Sequence, residues 1–202
     1  MVKKFIIFGG VFSLIIGVLV SSNLRFEGLT VKAEEFASKY HEEEVKDYSE
    51  SPLYYHDYNI EAKEEWTQMS RESIKVITGE DIGSRLIAMW QLDKENETNI
   101  SIVAENPPVI TLESYQKLVE GVVHKRYGNN IEFLKQSING IESFATNYEI
   151  TDIYDKELIF EVHQVCFKAK GNFITITFTE KANIEDSKLN EFKDFLNTVE
   201  KI

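Results

Sequence analysis

The chain has 202 residues, with 34 acidic against 22 basic side chains, a formal net charge of −12 and a single cysteine. Binding to phosphate backbones needs clustered Lys and Arg, so this balance excludes a simple nucleic-acid binder. One thiol also excludes an internal disulfide framework, which leaves packing to hold the fold together.

Lys3 and Lys4 precede an apolar block, Phe5 to Val20, that carries no charge and is interrupted only by Gly9, Gly10, Ser13 and Gly17. A comfortable membrane span takes about 20 apolar residues, and the apolar core of a secretory signal about 7–15. Residues 1–22 therefore read as a signal peptide or a membrane anchor, with cleavage sites at Val20-Ser21-Ser22 or Val31-Lys32-Ala33. A retained block keeps the lysine pair in the cytoplasm and the rest of the chain outside. A lipoprotein anchor needs a cysteine just past the block, and the only one is Cys166. Either reading predicts an extracytoplasmic domain, anchored in the cytoplasmic membrane by its N-terminus or secreted after cleavage.

Residues 23–51 read as an acidic linker or stalk. Between Glu34 and Glu50, seven acidic side chains stand against Lys39 and Lys46, a self-repelling and well-solvated run. Phe36, Tyr40 and Val45 sit at near-helical spacing, so a weak helix over Ala33–Tyr48 is compatible with the pattern. The segment is either a spacer or a docking segment for a basic partner.

Residues 52–202 form the folded domain. Aromatic and alternating stretches predict strands near Tyr58–Trp66, Ser73–Thr78, Arg85–Leu92 and Asn99–Ala104. After Pro107 and Pro108, Thr111 is placed to cap a helix whose apolar positions Leu112, Tyr115, Leu118, Val119, Val122 and Val123 recur every three or four residues, ending at Gly128. A meander follows: Ile131–Ile138 and Ile141–Thr151 around Asn139-Gly140, then Leu158–Lys168 and Phe173–Glu180 around Gly171-Asn172. In the last strand Ile174, Ile176 and Phe178 alternate with Thr175, Thr177 and Thr179, which predicts one buried and one wet face. A closing helix from about Ile184, with Asn183 as cap, places Leu189, Phe192, Leu196 and Val199 in one stripe. The expected fold is α+β: a two-layer sandwich of an antiparallel sheet covered on one face by two helices, preceded by an N-terminal hydrophobic helix.

The strand ending at Trp66, Asn99-Ile100-Ser101-Ile102-Val103 and the helix opened by Thr111-Leu112-Glu113-Ser114-Tyr115 resemble the PsbP-like family. So do the turn Ile138-Asn139-Gly140-Ile141, the strand Ile174-Thr175-Ile176-Thr177-Phe178-Thr179 and the closing Phe195-Leu196. The resemblance covers about residues 54–202 and rests on fold-level patterns without a catalytic signature. It implies a binding or assembly role, because members of that fold mostly act as accessory proteins.

Little in the sequence points to chemistry. His41, His56, His124 and His163 include no pair at i, i+3 or i, i+4, so no helix offers a two-histidine metal face. His163 and Cys166 are three apart in one strand and should point to opposite faces, which weakens a thiol–imidazole hydrolase. Gly79 and Gly83 bracket an acidic turn rather than a phosphate loop, and Glu80 and Asp81 lack the ligand density of a calcium loop. His56-Asp57 reads as a polar loop, and Asn96-Glu97-Thr98 and Asn99-Ile100-Ser101 match the glycosylation pattern. Trp66, Met89 and Trp90 are the candidate ligand-binding residues, or else core. The reading is thus a non-enzymatic extracytoplasmic binding or assembly module with no catalytic, metal or cofactor site. Its partner is an envelope protein or, alternatively, a small apolar ligand held between sheet and helices.

Overall fold

A computed structural model describes residues 53–55, 58–70, 86–93, 97–105, 107, 109, 111–151 and 156–201. The apolar block, the acidic stalk, the strand expected at Ser73–Thr78, the Glu80-Asp81 turn, His41, His56-Asp57 and Asn96 lie outside these residues. No helix among the described residues is long and apolar enough to cross a membrane.

The chain order is β1 (Leu53–Tyr55), β2 (Tyr58–Ile60), β3 (Thr67–Gln68), β4 (Leu86–Asp93), β5 (Thr98–Glu105) and α1 (Leu112–Tyr127). It continues with β6 (Phe133–Ile138), β7 (Ile141–Thr151), β8 (Ile159–Ala169), β9 (Asn172–Lys181), α2 (Leu189–Leu196) and β10 (Glu200–Lys201). Seven strands make one antiparallel sheet in the order β3-β4-β5-β9-β8-β7-β6, and β1, β2 and β10 make a small second sheet. The α+β class with a large antiparallel sheet is the expected one.

Local chemistry sets the turns. Asn139 (φ 48°) and Gly140 (φ 81°) close β6 onto β7, with Ile138 facing Ile141 across the turn. Two consecutive positive φ values give a turn whose twist matches the flanking strands, and Asn and Gly tolerate that region best. The next hairpin turns one residue earlier than expected, at Lys170 (φ 38°) and Gly171 (φ 88°), because Asn172 already pairs with Ala169. Helix α1 follows its signals: Thr111 Oγ1 accepts from Ser114 N at 3.1 Å, and Gly128 takes φ 107° at the far end.

Two expected elements differ. The first strand stops at Ile60 instead of reaching Trp66, and Trp66 N donates to Lys63 O in a turn. Helix α2 begins at Leu189, not near Ile184. Asn183 adopts φ 59° in a turn rather than capping, and buried Glu180 accepts from Ser187 Oγ (2.6 Å) and Lys188 N (3.0 Å), which fixes the helix start.

The cover of the sheet also differs from the expected single face. Register puts Trp90, Ile100, Phe178 and His163 side by side in one row and Ala88, Ile102, Ile176 and Val165 in the next. This is the face that packs against Phe192, Phe195 and Val199 of the C-terminal segment. Residues of the other parity, Phe144, Tyr148, Val162, Cys166 and Phe173, pack against Tyr115, Val119 and Val123 of α1. The helices therefore lie on opposite sides of the sheet. The threonine face expected to be wet is buried, with Thr177 and Thr179 at 2% and 3% exposure. Period-2 polarity reads as solvent exposure only when the partners on that face are water, and here they are protein.

Asn139 joins the hairpin to the C-terminus, its Nδ2 donating to Asn197 O (2.8 Å) and Val199 O (3.0 Å). Asn139→Ala removes both bonds and places a Cβ residue with no turn preference at positive φ. The expected cost is about 1–3 kcal/mol of unfolding free energy, measured by urea denaturation of the wild type and variant.

Candidate functional site

Of the three residues singled out, two meet. Trp66 and Trp90 both pack on Phe195, at centroid distances of 5.3 and 5.8 Å. Both are buried, and Trp66 Nε1 donates to Glu191 Oε2 at 3.2 Å. Lys188 Nζ lies 3.0 Å from Glu191 Oε1 and Lys63 Nζ 3.4 Å from Oε2. Lys188 foremost, with Trp66 and Lys63, holds the Glu191 carboxyl below the usual carboxylate range against the opposing effect of burial. The indole is thus anchored at its polar edge by α2 and at its face by Phe195. Met89 pairs with Ser101, on the other side of the sheet from Trp90 and Ile100.

The opposite face holds a polar arrangement that the sequence reading did not pick out. Register lines up Met89, Ser101, Thr177, Gln164 and Thr146 in one row across five strands, and Gln91, Asn99 and Thr179 in the next. Gln164 Nε2 donates to Thr177 Oγ1 at 3.2 Å. Alongside this row, the Tyr115 hydroxyl donates to Glu105 Oε2 at 2.6 Å and lies 3.5 Å from Thr175 Oγ1, which is 3.0 Å from Cys166 Sγ. Stacking of Tyr115 on Phe173 at 4.3 Å completes the anchor of α1. The signal was present as the alternating threonines, but only register across distant strands turns them into a row.

The network is buried but not fully paired: Ser101 Oγ and Asn99 Oδ1 in these rows have no hydrogen-bond partner among the described residues. Burial foremost, and then the Glu105 carboxylate, push the Tyr115 phenol well above its usual value. Burial pushes the Cys166 thiol up to about 12, so it stays protonated and a poor nucleophile. His163 faces Phe178 at 5.9 Å, on the other side of the sheet from Cys166, as the strand period requires. Its Nε2 lies 3.8 Å from Glu161 Oε2, and burial lowers its pKa more than the carboxylates of Glu161 and Glu180 raise it. His124 Nε2 sits 2.7 Å from Ile131 O, beside α1. No group of three His, Cys, Asp or Glu side chains gathers to hold a metal among the described residues.

Two outcomes follow from these environments. Cys166 should resist thiol reagents in the native state near pH 8 and react fully once the chain is unfolded; equal labelling rates before and after denaturation would contradict its burial. Because His163 binds its proton less tightly folded than unfolded, the unfolded chain protonates first as pH falls below about 6.5, and stability declines in that window. His163→Gln should flatten the slope of unfolding free energy against pH there, as read from urea midpoints at several pH values.

No family model matches the chain, and no curated protein is similar to it in sequence. Among solved structures, similar ones include cyanobacterial PsbP (CyanoP) from Synechocystis sp. PCC 6803, at 11% identity and a TM-score of 0.47, covering 72% of this chain and 87% of that one. LpqN of Mycobacterium tuberculosis, described as involved in cell envelope biogenesis, is similar at 8% identity and a TM-score of 0.44, covering 70% and 82%. A protein of unknown function from Pseudomonas aeruginosa, PA94, aligns at 11% identity and a TM-score of 0.46 over 52% of this chain and 73% of that one.

Proposed function

We infer that this chain is a non-enzymatic binding or assembly module that works outside the cytoplasmic membrane, tethered by Phe5–Val20 or released after cleavage of that segment. The observation that carries the reading is the order of its parts. A cationic start and an uncharged apolar block are followed by an acidic stretch and then by a domain whose Tyr115 phenol and Glu105 and Glu180 carboxylates join helices to the sheet and whose thiol contacts Thr175 within it. Groups committed in this way serve stability rather than turnover. The acidic balance favours a protein of the envelope over nucleic acid as partner.

The alternative occupant is a small apolar ligand held near Trp66, Met89 and Trp90. Those side chains would have to line one space. Trp66 and Trp90 instead share Phe195, and Met89 belongs to the other face, so the geometry favours the protein partner.

Fractionation with intact-mass measurement tests the location. A full-length mass in membranes identifies an anchor, and a mass beginning after Ser22 or Ala33 in the medium or soluble envelope fraction identifies a cleaved signal. Full-length protein in the cytosolic fraction would overturn the reading. In vivo crosslinking of the natively expressed chain should return a defined envelope protein; its absence together with a co-purifying small molecule in native mass spectrometry would favour the ligand.

A further inference from the structure

Among the described residues, strand β6 closes one end of the seven-stranded sheet and pairs only with β7. Its residues Leu134 to Ser137 are exposed, and Leu134, at 58%, is the one exposed large hydrophobic side chain among the described residues. The register with β7 runs unbroken from Phe133↔Thr146 to Ile138↔Ile141, and the strand contains no proline and a single charge, Lys135. Bulges, prolines and multiple charges are the usual means of blunting an edge, and this edge uses none of them beyond that one lysine.

We propose that this edge pairs with the same edge of a second copy of the chain, antiparallel about a two-fold axis at Gln136. This inference does not depend on the location or partner argued above. The hydrogen-bond pattern restricts the register. Ile138 and Ile141 flank a two-residue turn and form a hydrogen-bonded pair, so Ile138, Gln136 and Leu134 turn their N–H and C=O groups toward β7. Phe133, Lys135 and Ser137 turn theirs outward. Only pairings that match outward residues with outward residues can form a ladder between two copies. Centring on Lys135 would set two lysines face to face, and centring on Ser137 would run each strand into the other's turn. Centring on Gln136 pairs Lys135 with Ser137 of the other copy, twice by symmetry, for four backbone hydrogen bonds.

The side chains fit that register on both faces. Leu134 falls beside Ile138 of the other copy, on the face of the sheet that carries Ile141 and Ala145, so the exposed leucine extends the hydrophobic cluster of its neighbour. On the opposite face Lys135 meets Ser137 of the other copy, and behind that serine, one strand further in, stands the exposed carboxylate Glu142. A single cation on each edge thus meets an anion on the other. Four backbone hydrogen bonds along one strand edge make a contact smaller than the roughly 800 Å² per partner of a stable interface, so the pairing is concentration-dependent.

Disulfide trapping in the full chain as natively expressed, in whichever fraction it is found, tests the proposal. In a non-hydrogen-bonded antiparallel pair the Cα atoms are about 4.5 Å apart, within disulfide range. Gln136→Cys should therefore give a species of twice the chain mass on mild oxidation, while buried Cys166 contributes none. Lys135→Cys places its two copies about 8 Å apart and Leu134→Cys further, so each should trap at least about tenfold less. Ser137→Pro removes an outward N–H and leaves the β6–β7 ladder intact, so Q136C/S137P should lose the trapped dimer at an unchanged thermal midpoint. If proline lowers the midpoint, Lys135→Glu, which sets a carboxylate against Glu142 of the other copy, must reduce trapping instead. No dimer from Gln136→Cys, equal trapping at all three positions, or trapping only to a protein of different mass would each overturn the proposal.

Discussion

Strand β9 is the constraint on which the rest of this structure depends. It lies between β5 and β8 and is buried on both faces from Phe173 to Glu180, so each of its side chains must be accommodated by protein. On one face, Ile174, Ile176 and Phe178 meet the C-terminal segment, with Phe178 stacked on Phe192 at 5.1 Å. On the other, Thr175 and Thr177 carry hydroxyls that cannot be left without partners, because each unpaired buried polar group costs about 1–3 kcal/mol. Thr175 shares its hydroxyl between Tyr115 and Cys166, and Thr177 accepts from Gln164. The position of α1 follows from the contact of Tyr115 with the Thr175 hydroxyl as much as from burying Val119 and Val123.

Helix α2 is fixed by the same strand through a different group. Glu180, the last fully buried residue of β9, receives Ser187 Oγ and Lys188 N, so the helix starts where the carboxylate can reach it. Downstream, Glu191 ties Trp66, Lys63 and Lys188 together, and Phe195 wedges between two tryptophans. A charge-assisted hydrogen bond at the strand end and an aromatic wedge one and two turns later orient a helix of only eight residues, too short to persist alone.

Much of this was legible in the sequence where information is local. Thr111 and Gly128 bracket α1, and Asn139-Gly140 marks the β6–β7 turn, because caps and turns are decided by a few neighbouring residues. Helix α2 was misplaced because the group that starts it, Glu180, lies in the preceding strand and offers no local cue. The threonine face was misread as wet because alternation reports polarity, not partners. Met89 and Trp90 looked like one aromatic and sulfur site, but adjacent strand residues point apart, and only the pairing of Met89 with Ser101 and of Trp90 with Ile100 separates them. The polar row through Ser101, Thr177 and Gln164 needed the pairing of the β8–β9 hairpin with β5, which is distant in sequence.

A sheet used on both faces has a consequence for function. Among the described residues, Cys166, Tyr115, Glu105 and Glu180 sit on faces already occupied by helices, and the sheet itself separates Cys166 from His163. Building a catalytic pair would mean moving one of them through the plane of the strands, which would break the alternation that buries β9. What the described residues leave open to solvent with regular geometry is the rim, where β6 presents backbone groups every second residue and an exposed leucine. Recognition through the rim would leave both cores undisturbed.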